Sequence, residues 1–162
     1  MKAAVITCSN RSAQGEREDT SGALLVQLLH DAGHEVMVRR VVPDDVAAIR
    51  QAVGDGVAAG AQVVLTTGGT GLAPTDVTPE AVRPLLDREV PGVAEALRLD
   101  ARDRVPTSVL SRGVAGVIGS AFVVTLPGSP GGVRDGMAVL AALLDHIVDQ
   151  LRGADHRPGG GV

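Results

Sequence analysis

The chain has 162 residues, 44% of them apolar, with a net charge of −4 and one cysteine. That is enough apolar material to bury one real core, and it leaves little room for a second domain. The acidic balance excludes a broad nucleic-acid surface, which would show as a basic excess, and a lone Cys8 excludes an internal disulfide and suits a reducing cytoplasm.

In chain order, Ala3 to Cys8 reads as a first buried strand, in which Cys8 serves as a small hydrophobe rather than a reactive thiol. The apolar run that begins at Ala3 is too short for a signal peptide, and nowhere do roughly eighteen unbroken apolar residues suggest a membrane span. Glu16, Arg17, Glu18 and Asp19 read as a solvated charged loop. Thr20 to Ala32 places Leu24, Leu25, Leu28 and Leu29 on one helical stripe, with Gly33 as its stop. Glu35 to Val42 is a second strand. Asp44 to Ala59 is a helix with Asp44 or Asp45 as its cap, and Gln62 to Thr67 is a third strand. Thr78 reads as the cap of a helix that carries Pro79 in its first turn, and Val93 to Arg102 as a further helix. Ser108 to Leu110 and Gly113 to Ile118 are short strand candidates at an edge hairpin, and Ala121 to Leu126 is a strong central strand. Ser129 and Pro130 open a last long helix that runs to about Leu151. The Gly-rich polar end that follows reads as a disordered tail, which leaves one domain over residues 1–151. Phe122 is the only aromatic residue, so Val, Leu, Ile and Ala must fill the core and no stacking platform for single strands exists.

Strands alternating with helices predict an α/β fold, and in parallel α/β sheets ligands gather beyond the carboxyl ends of the strands. Four segments leave strands at that end: Ser9-Asn10-Arg11, Pro43-Asp44, Gly68 to Gly71, and Pro127-Gly128-Ser129-Pro130. The third, Thr66-Thr67-Gly68-Gly69-Thr70-Gly71, follows a buried strand directly, and its glycines let successive backbone N–H groups face one anion. Asp76 follows at once, before a helix that has Thr78 to cap it. If the four turns share a rim, Asp44 and Asp76 can hold a hard divalent cation against bound phosphates. Ser129, at a helix N-terminus, is both a cap and an anion site, and Ser111-Arg112 is either a polar turn or a grip on an anionic substrate. His30 and His34 are separated by the helix-ending Gly33 and do not suit a shared metal. No Gly-x-Gly-x-x-Gly, Gly-Lys-Ser/Thr or Gly-x-Ser-x-Gly motif is present, which argues against a dinucleotide dehydrogenase, a P-loop enzyme and an α/β hydrolase.

Taken together, Thr66 to Gly71, Asp76-Val77-Thr78-Pro79-Glu80, Asp87-Arg88-Glu89-Val90-Pro91-Gly92, Leu110-Ser111-Arg112 and Leu126-Pro127-Gly128-Ser129-Pro130 resemble the Mog/MoaB family of molybdenum-cofactor biosynthesis, up to about Leu151. The resemblance implies a three-layer α/β/α sandwich around a mostly parallel sheet, assembled as a homotrimer or, in the MoaB branch, a hexamer. It implies a molybdopterin adenylyltransferase that uses ATP and Mg²⁺ and releases pyrophosphate, working beside other molybdenum-cofactor enzymes. The alternative it leaves is a catalytically silent molybdopterin-binding protein. Carried over by position, the important aspartates are Asp44 and Asp76, as catalytic residues and Mg²⁺ ligands. The substrate loops are Thr67, Gly68, Gly69, Thr70 and Gly71, then Ser111 and Arg112, then Pro127, Gly128 and Ser129. The first loop has Asn10 where the family commonly has Asp, and Leu72-Ala73-Pro74-Thr75 is nearer the MoaB branch.

Overall fold

Every residue of β3 (Val63–Thr67) is buried, as is every residue of β1 (Lys2–Cys8) after Lys2, so these two strands occupy the middle of the molecule. The computed structural model describes residues 1–153; of the expected tail, Arg152 and Gly153 form a closing turn and the rest lies outside the described residues. β1 pairs in parallel with β2 (Glu35–Val42) on one side and with β3 on the other. Beyond β3 lies β6 (Ala121–Leu126), also parallel, then β5 (Ala115–Ile118) and the two-residue β4 (Arg88–Glu89), both paired antiparallel. The sheet order is therefore β2-β1-β3-β6-β5-β4. The expected small edge hairpin is β5–β6, turned by Gly119 with φ +57°.

Side chains alternate across this sheet, and each face has its own apolar cluster. The single-turn α1 (Asn10–Ala13) follows β1, and Ala3, Val5, Val63, Leu65, Phe122 and Val124 meet α2 (Thr20–Asp31), α5 (Pro91–Ala101), α6 (Pro130–Ala141) and α7 (Leu144–Leu151). Ala4, Ile6, Val64 and Val123 meet α3 (Val46–Ala58) and α4 (Thr78–Val82) on the other face. Helices on both faces of a mostly parallel sheet bear out the α/β fold that the strand and helix pattern predicts and make the three-layer α/β/α sandwich that the family resemblance implies. Among the described residues, no helix is long and apolar enough to cross a membrane.

Three local expectations fail for identifiable reasons. Residues 106–110 form a 3-10 turn rather than a strand, because Pro106 has no N–H for a ladder and Ser108 and Ser111 close i→i+3 bonds to Val105 and Ser108. The last long helix is two, with Leu143 donating to the Leu140 carbonyl between them at 2.8 Å. The apolar stripe Leu140, Leu144, Val148 runs through that break and hides it in the sequence. Thr78 does not cap α4 with its side chain. Its buried hydroxyl donates to the Gly68 carbonyl at 2.9 Å, and the capping position falls on Val77 without a side-chain bond.

β1 feeds its chain through α2 to β2 on one side, whereas β3 lies on the other side of β1 after the α3 crossover. The strand order thus reverses between β1 and β3, and at such a switch point two loops diverge and leave a crevice beyond the strand ends. The loops that diverge here are Ser9-Asn10 and Gly68-Gly69.

Candidate functional site

The loop after β3 is fixed almost entirely by backbone. Gly68 has φ +100° and donates its N–H to Leu126 at 3.0 Å, and a methyl on it would sit 2.2 Å from the Cys8 carbonyl oxygen. Gly69 has φ +64°, and a methyl there would meet the Thr78 hydroxyl at 2.3 Å. Both positions require glycine, for conformation and for space. Thr67 ties the loop to the next one by donating its hydroxyl to Pro127 at 2.8 Å, and Gly128 packs close enough that a methyl on it would lie 3.1 Å from the Gly68 Cα.

The two aspartates flank this loop. Asp45 caps α3 by accepting from Ala48 N–H at 2.8 Å, which leaves Asp44 free of that duty. Asp44 instead forms a reciprocal pair with Asn10. Its Oδ2 accepts from the Asn10 N–H and its own N–H donates to Asn10 Oδ1, both at 2.9 Å. Asp44 Oδ1 would lie 3.3 Å from a methyl on Gly69, and Asp76 Oδ2 only 2.7 Å from one on Gly71. The glycine loop therefore runs between the two carboxylates. Asp76 Oδ2 also accepts from Ala73 N–H at 2.9 Å, which closes the 73–76 turn.

Two cavities open at this rim. The first, about 500 Å³, is largely apolar, walled by Ala94, Leu97, Val105 and Leu110 and floored by Ser111, Ser129 and the start of α6. The second, about 400 Å³, is polar and includes Ser9, Asn10, Arg11, Asp19, Asp44 and Thr67 in its lining. Both are of ligand-binding size. Gly69, Asp76 and Gly128 belong to the walls of both.

Of the residues expected from sequence, Asp44, Thr67 and Gly68 line the polar cavity, and Thr70, Gly71, Ser111, Pro127 and Ser129 line the apolar one. Arg112 lines neither. Its Nε donates to the Gly71 carbonyl at 2.8 Å and its Nη2 to the Asp76 carbonyl at 2.6 Å, and it is paired with Glu80. The expected grip on an anionic substrate is spent on the loop that carries Asp76. That pairing holds the Glu80 carboxyl below its ordinary pKa, chiefly through the hydrogen bond from Arg112.

Sequence reasoning missed two residues here. Asp19 is not a solvated loop residue: its side chain is 8% exposed and accepts from Thr7 Oγ1, Arg39 and the Gly22 N–H, all within 3.0 Å. Its position before Thr20-Ser21-Gly22 was a legible cap signal. Thr78, described above, was seen but given the wrong partner. Cys8 is buried as expected, and burial pushes its thiol up to about 12, which leaves it no thiolate character near neutrality.

A switch-point crevice lined by glycine turns and two carboxylates defines the class: an α/β protein with ligand-sized cavities beyond the carboxyl ends of its parallel strands. Residues 4–146 match the family described as "Probable molybdopterin binding domain", and the chain belongs to this family of molybdenum-cofactor biosynthesis. It is 42% identical over 154 residues to the molybdenum cofactor biosynthesis bifunctional protein of Synechococcus elongatus, covering 95% of this chain but 48% of that one. It is 37% identical over 156 residues to the molybdopterin adenylyltransferase of Pyrococcus furiosus, covering 93% of this chain and 91% of that one. The chain thus spans about half of the first relative and nearly all of the second. Among solved structures, the molybdopterin biosynthesis enzyme MoaB of Thermus thermophilus superposes with a TM-score of 0.87 at 41% identity, over 94% of this chain and 96% of that one.

Proposed function

We propose that this chain is a Mg²⁺-dependent molybdopterin adenylyltransferase, which joins the molybdopterin phosphate to the α-phosphorus of ATP and releases pyrophosphate. One observation carries the reading: two cavities of ligand size share Gly69, Asp76 and Gly128, so two bound molecules would meet at that seam. Similarity to the Pyrococcus furiosus molybdopterin adenylyltransferase supports it.

In the reaction a phosphate oxygen of molybdopterin forms a bond to the α-phosphorus while the bond to the bridging oxygen of the β-phosphate breaks. Two anions have to approach, so alignment and charge neutralisation carry the catalysis and no covalent nucleophile is required. The inert Cys8 thiol agrees with that. Among the described residues no three His, Cys, Asp or Glu side chains are grouped to cage a metal, which suits an ion held by one or two carboxylates and completed by substrate phosphates. Asp76 and Asp44, with hard oxygen donors lining the same cavity, are the residues that would hold it. When bound, Mg²⁺ would neutralise phosphate charge at the seam. The amides of Gly69 to Gly71 and the α6 N-terminus, capped by Ser129, would orient phosphates there without adding a mobile charge. Arg112 keeps Asp76 in place by holding its carbonyl.

The reading includes self-association as a trimer or hexamer. Leu99 on α5 and Val109 on the 3-10 turn after it are 57% and 46% exposed and would be covered in such an assembly, which sedimentation would detect.

The deciding experiment incubates the purified protein with molybdopterin, ATP and Mg²⁺ and separates the products. Adenylyl-molybdopterin and pyrophosphate should accumulate and should vanish with EDTA. Molybdopterin bound but never adenylylated would replace this reading with that of a silent binding protein.

A further inference from the structure

The two cavities differ in the charge they can offer a ligand. Among the residues lining the apolar cavity the only basic one is Arg98, whose Nη1 donates to the carbonyls of Ser111 and Gly113 at 3.4 and 3.1 Å. Apart from Arg98 that cavity offers an anion the amides of Gly69 to Gly71 and the N-terminus of α6. The polar cavity has two basic residues in its lining, Arg11 and Arg17, and neither guanidinium has a carboxylate or carbonyl partner among the described residues. They lie on one folded-back turn: the N–H groups of Glu16 and Arg17 both donate to the Arg11 carbonyl, at 2.9 and 3.2 Å. Four acids share that lining: Asp19 is committed to Thr7, Arg39 and the start of α2, Asp44 to the Asn10 N–H and Asp76 to the Ala73 N–H, and among the described residues Glu18 forms no ion pair with either arginine.

We propose that Arg11 and Arg17 form a guanidinium jaw that binds the β- and γ-phosphates of the nucleotide and holds the pyrophosphate as it leaves. The assignment rests on the adenylyltransferase reading and adds direction to it. In an in-line displacement the attacking and leaving oxygens lie on opposite sides of the phosphorus. With the α-phosphorus at the seam formed by Gly69, Asp76 and Gly128, an acceptor phosphate arriving from the apolar cavity drives the pyrophosphate into the polar one, toward Arg11 and Arg17. Negative charge grows on the leaving group during that step, and unpaired guanidiniums are suited to receive it bidentately.

The test compares wild type with Arg11→Gln, Arg17→Gln and the double variant, titrated calorimetrically with Mg·ATP, AMP and tripolyphosphate. Affinity for ATP and tripolyphosphate should fall by about tenfold for each arginine removed, and affinity for AMP by less than about twofold. Inhibition by added pyrophosphate should weaken in parallel, molybdopterin affinity should stay unchanged, and Arg→Lys at either position should restore part of the loss. Equal weakening of ATP and AMP, or unchanged ATP affinity in folded variants, overturns the jaw. If wild type and variants behave as expected in binding but wild type forms no adenylylated product, the adenylyltransferase reading fails and the polyphosphate site stands.

Discussion

Asp44 and Asp76 border the same cavity from either side of one glycine loop, but different forces hold them. On the Asp44 side the contacts are neutral or single-ion hydrogen bonds between short segments: the reciprocal pair with Asn10, and Asp45 capping α3 beside it. On the Asp76 side the loop from Gly71 to Asp76 is held by one long cation, Arg112, itself anchored by the half-exposed Glu80. Short-range amide contacts resist salt and pH, whereas an ion pair near solvent responds to both. Asp44 thus belongs to a fixed wall and Asp76 to an adjustable one.

The strongest way to sharpen that contrast is Asp76→Asn. The amide keeps an oxygen for the Ala73 N–H but loses the charge, so turnover should drop about 10³-fold or more while molybdopterin binding remains, a scale typical of losing one charge partner at a transferring phosphoryl group. Single-turnover product formation with a parallel binding titration checks it, and near-normal turnover would refute the metal role. Next in size is a break in the loop that both walls share. Gly68→Ala should cost about 3 kcal/mol or more, because φ is +100° and the new methyl would overlap the Cys8 carbonyl oxygen. Gly54→Ala, inside α3 with nothing within 4 Å of the added methyl, should instead stabilise by about 0.5–1 kcal/mol. Urea denaturation of the two variants reads both signs.

Much of this arrangement was legible in the sequence because it depends on local chemistry. Buried β-branched runs gave the central strands within a residue or two, and the Thr-Gly-Gly-Thr-Gly run after β3 announced a loop that only glycine can form. What stayed hidden depends on tertiary partners. Nothing in Ser111-Arg112 says whether the guanidinium faces a ligand or the carbonyls of residues forty positions earlier. Thr78 looks like a cap from sequence until the folded-back loop offers the Gly68 carbonyl. β4 is only two residues long and is defined by its pairing with Gly116 and Val117, not by any pattern of its own. Asp44 and Asp45 compete for one cap in the sequence, and the fold gives it to Asp45.

A subtler break of the adjustable wall is Arg112→Lys. A single ammonium cannot serve the Gly71 carbonyl, the Asp76 carbonyl and Glu80 together, so Asp76 should drift and turnover should fall by about 10- to 100-fold. A positioning role makes the loss appear mainly as a raised Mg²⁺ requirement, with molybdopterin affinity kept, whereas a direct grip on substrate would raise KM for the pterin or nucleotide. The same wall carries a pH signature. Glu80 has its pKa held down in the folded state, so its contribution is present above the ordinary carboxylate range and is lost as pH falls through the depressed folded value. Wild-type activity should therefore show an acid limb, accentuated by salt, that is weaker in the profile of Glu80→Gln.

The smallest expected effect tests the fixed wall. Asn10 stands where the family pattern commonly has Asp, yet its bonds to Asp44 use its own backbone N–H and its side-chain oxygen, and either residue type can supply that oxygen as an acceptor. Asn10→Asp should therefore change stability by only about 0.5 kcal/mol, the scale of a substitution that keeps its contacts. Asn10→Leu removes the acceptor and leaves the half-buried Asp44 N–H unpaired, at a cost of about 1–3 kcal/mol. Denaturant midpoints of the two variants separate the possibilities. If Asp costs as much as Leu, charge rather than hydrogen bonding governs this position, the Asp44 wall is as electrostatic as the Asp76 wall, and the contrast between them fails.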